Sequence, residues 1–315
     1  MAIWKIDELG EFVTLKRGYD LPQQKRKNGE IPIFSSSGVT GTHNEAMVEA
    51  PGVITGRYGT IGEVFFAETS FWPLNTTLYV ENFHENDEKF VYYFLKTLEW
   101  KKFASASAVP GINRNTVHKE IVRFPDFETQ QKIASVLSTI DKKIAVNKAI
   151  NDNLEQQAAT YFQELFINNA NPMWQISTIS DLGTVVGGST PSKTKPEYYT
   201  NNGIAWITPK DLSINKSKFI SHGENDITEL GLKNSSATVM PKGTVLFSSR
   251  APIGYIAIAS NEVTTNQGFK SVIPYSEIGT AFVYFFLKHS LPVIESAASG
   301  STFKEISGSA MKNIP

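Results

Sequence analysis

The chain repeats itself around one long helical segment, and that duplication constrains its fold more than any single motif does. Trp4 opens the first copy and Trp174 the second, and each copy then runs through the same order. A Leu-Gly pair comes first (Leu9-Gly10; Leu182-Gly183), then an apolar strand after a Gly (Gly29 to Phe34; Gly203 to Ile207). A Gly-led strand follows (Gly52-Val53-Ile54; Gly243-Thr244-Val245-Leu246) and runs into an Arg loop ending Ile-Gly (Arg57 to Gly62; Arg250 to Gly254). Next stands an Asn beside a small polar residue (Asn75-Thr76; Asn266-Gln267). Val91-Tyr92-Tyr93-Phe94-Leu95-Lys96 and Val283-Tyr284-Phe285-Phe286-Leu287-Lys288 close the pattern. An internal repeat decides architecture before any local reading does. Two similar modules on one chain suit a protein that reads two similar things.

Short β-rich runs such as Gly52 to Thr55 and Val64 to Ala67 are broken by Gly, Pro, Asn and Ser clusters, as strands and turns are. Phe90 to Phe103 carries apolar residues at helical spacing, and Phe282 to Leu291 is its counterpart. Each module is therefore α+β, a sheet-containing body with at least one packed helix. With 315 residues, each module is long enough to bury its own core.

Between the modules, Pro125 and Asp126 supply a stop and an N-cap, and Glu128 favours the positive end of a helix. No Pro or Gly interrupts the run from there to Asn168. Ile133, Leu137, Ile140, Ile144, Asn147, Asn151, Leu154, Ala158, Tyr161 and Leu165 alternate in steps of four and three, which is a heptad seam. At about 1.5 Å per residue such a helix is on the order of 60 Å long. Asn147 and Asn151 lie mid-seam, where polar residues fix register and partner at some expense in stability. The expected division is 1–125, 126–168 and 169–315, with Asn-Ala-Asn-Pro at 169–172 ending the helix.

No complete catalytic constellation stands in the sequence. Asn171-Pro172-Met173-Trp174 resembles an amino-methyltransferase loop but lacks its second Pro, and a helix stop suffices to explain it. Pro125-Asp126 and Asp141-Lys142-Lys143 have nuclease-like spacing, yet a continuous helix would hold the two carboxylates about 22 Å apart. The five His residues are scattered without metal-ligand spacing, and there is no Cys. The chain lacks a nucleophile elbow and a phosphate-cradling Gly-Lys loop. It also lacks an apolar run of membrane-spanning length and a signal-peptide layout at Met1 to Asp7. A cytoplasmic location is the expectation. A net charge of −1 argues against indiscriminate nucleic-acid coating and leaves room for a local basic face.

Recognition-type groups remain. Arg57 and Arg250 occupy corresponding loops, and Arg can fork onto guanine or phosphate. They could equally make shared structural salt bridges. Tyr58 follows Arg57; Lys25, Arg26 and Lys27 form a basic run; Ser36 and Ser37 lie on a polar loop; Asn113 and Arg114 form a polar turn. Lys193, Lys210 and Ser249 are the comparable groups of the second module. For any single Ser or Lys, ordinary solvated surface is the competing reading.

Trp4, the Leu-Gly pair, the Arg loop and especially Phe124-Pro125-Asp126-Phe127-Glu128-Thr129-Gln130-Gln131-Lys132-Ile133 give the sequence a resemblance to type I restriction–modification DNA specificity subunits. The continuation Leu137-Ser138-Thr139-Ile140-Asp141-Lys142-Lys143-Ile144 and Asn153-Leu154 extend the likeness. The resemblance implies two target recognition domains, each a mixed sheet plus helices, joined by one long α-helix of coiled-coil type. It implies a non-catalytic chain that reads the two halves of a bipartite site in double-stranded DNA. Two methyltransferase subunits would dock on it and bring S-adenosylmethionine, so no cofactor is expected in this chain. ATP-dependent restriction subunits are the further partners that the resemblance allows. Ile314-Pro315 matches the end of the first module near Phe124-Pro125, so the distal spacer helix of the family falls outside these residues. The seam from Ile133 to Leu165 is then expected to meet a second copy of the chain or a partial specificity chain, with direct cover by methyltransferase as the alternative. Two other readings are a DNA-recognition subunit whose single partner both cuts and methylates, and a scaffold for methyltransferase that reads no DNA.

Overall fold

The computed structural model describes residues 4–105, 110–250, 252–300 and 304–315. By its contacts the chain divides into two compact units, Met1–Asp152 and Asn153–Pro315. The segment read as separate at 126–168 is thus shared, its first part packing in one unit and its last part in the other.

In chain order, the first unit contains strands β1 (Trp4–Glu8), β2 (Thr14–Arg17), β3 (Ile31–Ser35), β4 (Gly38–His43), β5 (Gly52–Gly56), β6 (Val64–Ala67), β7 (Trp72–Pro73) and β8 (Thr77–Asn82). Helices α1 (Glu88–Thr97) and α2 (Arg114–His118), then strand β9 (Ile121–Pro125), complete it. One sheet has the order β2-β8-β5-β6 with antiparallel pairs throughout, and a second has the order β4-β3-β7 with a parallel β3–β7 pair. β1 and β9 form a separate antiparallel ribbon. Successive residues of β5 face opposite ways, as a pleated strand requires. Val53 joins the core built on Phe90, Val91 and Leu95 of α1, and Ile54 joins a second cluster with Phe34 and Phe71.

Helix α3 (Phe127–Phe162) follows β9, and a wider π-type turn continues it over Gln163–Asn168. The run expected at 126–168 is therefore helical throughout but changes its winding over the last six residues. Asp126 caps α3 by accepting the Thr129 N–H at 3.0 Å, as its side chain predicted.

The second unit adds α4 (Ile179–Leu182), β10 (Gly183–Gly187), β11 (Tyr199–Thr200), β12 (Ile204–Ile207), α5 (Pro209–Ile214), β13 (Phe219–Ile220), β14 (Asn225–Ile227) and α6 (Glu229–Lys233). It closes with β15 (Val245–Ser249), β16 (Ile253–Ala259), β17 (Thr264–Thr265), β18 (Lys270–Pro274), α7 (Thr280–His289), α8 (Leu291–Ala297) and α9 (Gly308–Lys312). Its main sheet runs β10-β18-β15-β16-β13, repeating the four-strand order of the first unit and adding a parallel fifth strand. β12 pairs in parallel with β17, as β3 does with β7. The same alternation recurs in β15, where Val245 and Phe247 pack with α7 and Leu246 faces the other way.

The duplication is real, but its register differs from the sequence pairing in two places. Leu9 N–H donates to the Glu120 carbonyl and Ile179 N–H to that of Ile314, so Ile179 is the counterpart of Leu9 and Leu182 that of Phe12, while Ile314 is the counterpart of Glu120 and not of Phe124. The helix expected over Phe90 to Phe103 ends at Thr97, and a 3-10 turn covers Trp100–Phe103. The Ile-Gly signature has a steric reason. Gly62 (φ +85°) and Gly254 (φ +98°) adopt left-handed backbone, and an added Cβ would come within 2.6 Å of Trp100 or Leu291.

Two polar side chains tie α3 down, one in each unit. Gln130, 3% exposed, accepts the Asp87 N–H at 2.9 Å and donates to Asn86 Oδ1 at 2.7 Å and to the Pro125 carbonyl at 2.9 Å. In the second unit Glu155 accepts from Lys288 at 2.8 Å, Tyr284 at 3.0 Å and Lys218 at 3.1 Å. Burial works to raise the Glu155 pKa, but the hydrogen bonds from Lys288, Lys218 and Tyr284 outweigh it and leave the carboxyl at about 2.

Gln130→Ala is expected to lower the unfolding free energy by about 2–3 kcal/mol, since buried partners are left unsatisfied; a urea midpoint within error of the wild type would refute the anchor. The Glu155 contribution is complete above its ordinary pKa of 4.5 and is lost as pH falls towards about 2. Acid unfolding of the chain should therefore lose part of its pH dependence across that window in Glu155→Gln, and curves that superimpose would count against the assignment.

Candidate nucleic-acid interface

At the end of β5 the chain turns through Arg57 and Tyr58, whose N–H groups both donate to the Thr76 carbonyl, at 2.9 and 3.2 Å. Arg57 Nε donates to the Ile112 carbonyl at 3.2 Å, and its guanidinium lies 4.5 Å from the Tyr58 ring centre. The turn before α2 returns alongside. Tyr58 bridges Gly111, Asn113 caps α2 by accepting the Asn115 N–H at 3.0 Å, and Arg114 reaches the Leu15 carbonyl at 3.4 Å. Gly111 is required here, because an added Cβ would lie 2.1 Å from the Tyr58 ring.

These elements enclose an open cavity of about 580 Å³ whose lining includes Lys16, Arg17, Arg57, Tyr58, Asn113 and Arg114. Arg57, Tyr58, Asn113 and Arg114 are read from sequence as recognition groups, and the fold brings them together across a chain separation of about fifty residues. Lys16 and Arg17 are not singled out by sequence, because nothing in Thr14–Arg17 marks β2 as a neighbour of the Arg57 turn. Lys16 pairs with Glu81 and Arg17 with Asp20 at 3.5 Å. Among the described residues no carboxylate pairs with Arg57 or Arg114, so the cavity keeps a positive balance. His118 supports its floor by accepting the Leu15 N–H at 2.9 Å through Nε2; burial first, then Arg114 and His84, lower its pKa and keep that nitrogen available.

The other predicted groups of the first unit lie elsewhere. Ser36 and Ser37 form the tip between β3 and β4, and Ser36 sits against the Gly56–Gly59 backbone. Lys25 and Lys27 are exposed, and the Lys27 N–H donates to Nδ1 of the buried His43 at 3.0 Å. Arg26 is half-buried with its Nε unpartnered, against Gly41 of β4.

In the second unit the expectation needs correcting. Arg57 N–H meets Thr76 and its carbonyl accepts from Ile112; the residue with that pattern in the second unit is Ser249, bonded to Gly268 and Ile306. Arg250 bridges Glu305 as Tyr58 bridges Gly111. The two arginines therefore occupy adjacent positions, not equivalent ones: the second unit has its Arg one residue later on a turn of the same length. Ser249 is fully buried with its Oγ unpartnered, so it is not a surface recognition group. Arg250 makes a salt bridge to Glu305 at 3.4 Å, and Lys270 approaches the same carboxylate at 3.6 Å. Arg250 thus makes an ion pair that Arg57, among the described residues, does not. Ala251, in the same loop, lies outside the described residues. Lys210 pairs with Glu224 at 2.5 Å at the start of α5, and Lys193 is exposed on the loop before β11.

Along α3 most of the seam is bare. Leu137, Ile140, Ile144, Leu154, Tyr161 and Leu165 are exposed, as are Asn147 and Asn151. Ile133 is half-buried against the core of the first unit. The two motif coincidences dissolve: Asp126 is a helix cap, Asp141 accepts from Tyr93 at 2.8 Å, and Asn171 closes a turn to Met173 and Trp174. Among the described residues no cluster of His, Asp or Glu could hold a metal, and no helix is long and apolar enough to cross a membrane.

Two copies of one α+β module, each carrying half of a bare heptad helix, define a duplicated recognition protein. The family model described as the type I restriction modification DNA specificity domain matches residues 1–156 and 171–315, and the chain belongs to that family. The specificity subunit of the MjaIX type I restriction enzyme from Methanocaldococcus jannaschii is 44% identical over 157 residues, 49% of this chain and 36% of that protein. That of EcoR124I/EcoR124II from Escherichia coli is 27% identical over 209 residues, 63% of this chain and 50% of that protein. The chain thus spans about a third to a half of the length of these relatives. The crystal structure of a type I restriction–modification S subunit from M. genitalium shares the fold, with a TM-score of 0.65 at 18% identity over 99% of this chain and 84% of that one.

Proposed function

We propose that the chain is the non-catalytic DNA-recognition subunit of a type I restriction–modification complex. It reads a bipartite double-stranded site, one half through each unit, with a non-specific gap between the halves. The observation that carries this reading is the basic cavity of the first unit, where Arg57, Tyr58 and Arg114 converge with Lys16 and Arg17 on a polar turn. Lysines and arginines of this kind position a duplex through its phosphates, and an Arg in a loop can fork onto a guanine edge. The second unit carries Glu305 where the first carries Gly111, so its two halves are read by unlike surfaces.

The bare seam of α3 is the docking face for a partner helix, from a second copy or a partial specificity chain, and for methyltransferase subunits. Those subunits supply S-adenosylmethionine and the chemistry, and restriction subunits join through them. The complex acts in the cytoplasm. The reading as a scaffold that contacts no DNA is separated by gel shift with and without methyltransferase.

Mapping methylated bases in the host genome with and without this gene tests the whole reading, and a continuous, ungapped motif would sink it. Arg57→Ala in the assembled complex is expected to weaken binding by about 1–3 kcal/mol and to relax specificity in one half-site only. An unchanged affinity and an unchanged methylation motif would remove Arg57 from the interface. Ile140→Asp with Ile144→Asp should abolish partner association in sedimentation while circular dichroism of the chain is preserved. Association that survives both substitutions would place the partner elsewhere.

A further inference from the structure

β2 is the end strand of its sheet, and among the described residues no strand pairs with its outer side. Leu15 stands on that edge with its side chain in the core, and Lys16 and Arg17 follow it into the lining of the basic cavity. The main-chain groups of an open edge must be met by something other than a strand. Here one short helix meets them. Arg114 and His118 are four residues apart and so share a face of α2. His118 Nε2 accepts the Leu15 N–H at 2.9 Å, and Arg114 donates to the Leu15 carbonyl at 3.4 Å. Two side chains thus hold both main-chain groups of one residue. Gly10 makes room for the ring, since an added Cβ would stand 3.2 Å from His118 Cβ.

The second unit builds the same framework without this arrangement. α9 packs beside β10 as α2 packs beside β2, and Met311 is buried there as Val117 is. The correspondence of Ile314 with Glu120 puts Gly308 at the place of Arg114 and Lys312 at that of His118. Val185 is the counterpart of Leu15, and Ser180 that of Gly10. A glycine has no side chain to donate with, and an ammonium cannot accept an N–H. Strand and helix therefore keep their packing with neither prong. The pair Arg114 and His118 goes with the cavity of the first unit and is not required by the duplicated fold.

We infer that Arg114 and His118 are positioning residues, a two-pronged main-chain clamp that fixes the open edge of β2 and with it the placing of Lys16 and Arg17 in the cavity. The inference rests on the DNA reading of that cavity and adds a switch to it. The clamp closes only while the imidazole is neutral with its proton on Nδ1. An imidazolium turns a second donor towards Leu15 in place of an acceptor, so protonation opens the clamp. Burial, then Arg114 on the same helix and His84 on the turn after β8, lower the His118 pKa from its ordinary 6.5. His84 is itself held, with Nε2 2.7 Å from Thr14 Oγ1. Of the other charged groups nearby in the chain, Lys16 is paired with Glu81, Arg17 with Asp20 and Glu120 with Lys102, while Glu11 and Lys119 are exposed. The clamp is complete above pH 6.5 and opens as the pH falls below it.

Two readouts test this, one of them without DNA. In the full chain, nitrogen NMR of labelled histidine should find Nε2 of His118 unprotonated at neutral pH, and a proton on that nitrogen would overturn the clamp. In the chain assembled with its methyltransferase, the probe is a duplex carrying a methylated site of the host genome. His118→Gln places an amide oxygen where Nε2 stands and should retain binding without titrating. His118→Asn, whose oxygen reaches only the Nδ1 position, should bind about fivefold more weakly at neutral pH. Relative to the Gln variant, wild-type affinity should fall about fivefold as the pH is lowered from about 7.5 to about 5.5. Charge alone predicts the reverse, because an added proton favours binding to phosphates. Parallel wild-type and Gln profiles, a wild type that gains on the Gln variant, or full binding by the Asn variant would each overturn the inference. Loss of binding from every form, wild type included, would strike the DNA reading instead, and the tautomer would still decide the clamp.

Discussion

The carboxamide of Gln130 sits where three elements meet, and the first unit is arranged around it. Its oxygen takes the N–H of Asp87, which itself caps α1 through Phe90, and its nitrogen reaches Asn86 and the last carbonyl of β9. One buried side chain therefore fixes the start of α3 against the start of α1 and the end of the ribbon. A buried amide is tolerated only when its donors and acceptor are met, and here they are. The direction in which α3 leaves the unit follows from that satisfied group, with Asp126 capping the first turn.

The far part of α3 is held by different chemistry. Glu155 gathers two ammonium groups and a phenol at one carboxylate, and the Lys288 and Tyr284 that serve it belong to the Tyr-x-x-x-Lys repeat of α7. In the first unit the matching Tyr92 and Lys96 bond to each other, and it is Tyr93 that reaches α3 through Asp141. Duplicated sequence has thus been turned to two different anchorages. The same divergence marks the turns after β5 and β15, where Gly111 in one unit and Glu305 in the other decide whether the neighbouring Arg is neutralised.

Much of the fold was legible because hydrophobic period and helix punctuation act over a few residues. The α3 run, its cap at Asp126 and the paired modules could be read from Phe124 to Leu165 and from the recurring strand signatures. Arg57, Tyr58, Asn113 and Arg114 were legible as candidates because Arg and its polar neighbours on turns carry groups able to contact a base or a phosphate. Lys16 and Arg17 were not, since alternation in a short strand says which face a residue takes and not what that face meets. Ser249 looked like a surface hydroxyl and is buried, because the strand that carries it is covered on both faces.

What the sequence by itself determined is the duplicated α+β order, the single uninterrupted helix with its heptad seam, and the family to which such an order belongs. These follow from local spacing, which the chain carries whatever its path. Only the tertiary structure decided which residues of the two copies correspond, that Ser249 rather than Arg250 stands where Arg57 does, and that Arg250 is spent on Glu305. The physical reason is that a salt bridge or a strand register joins residues some fifty positions apart, and the hydrogen-bonded register, which local spacing does not encode, sets who arrives opposite whom.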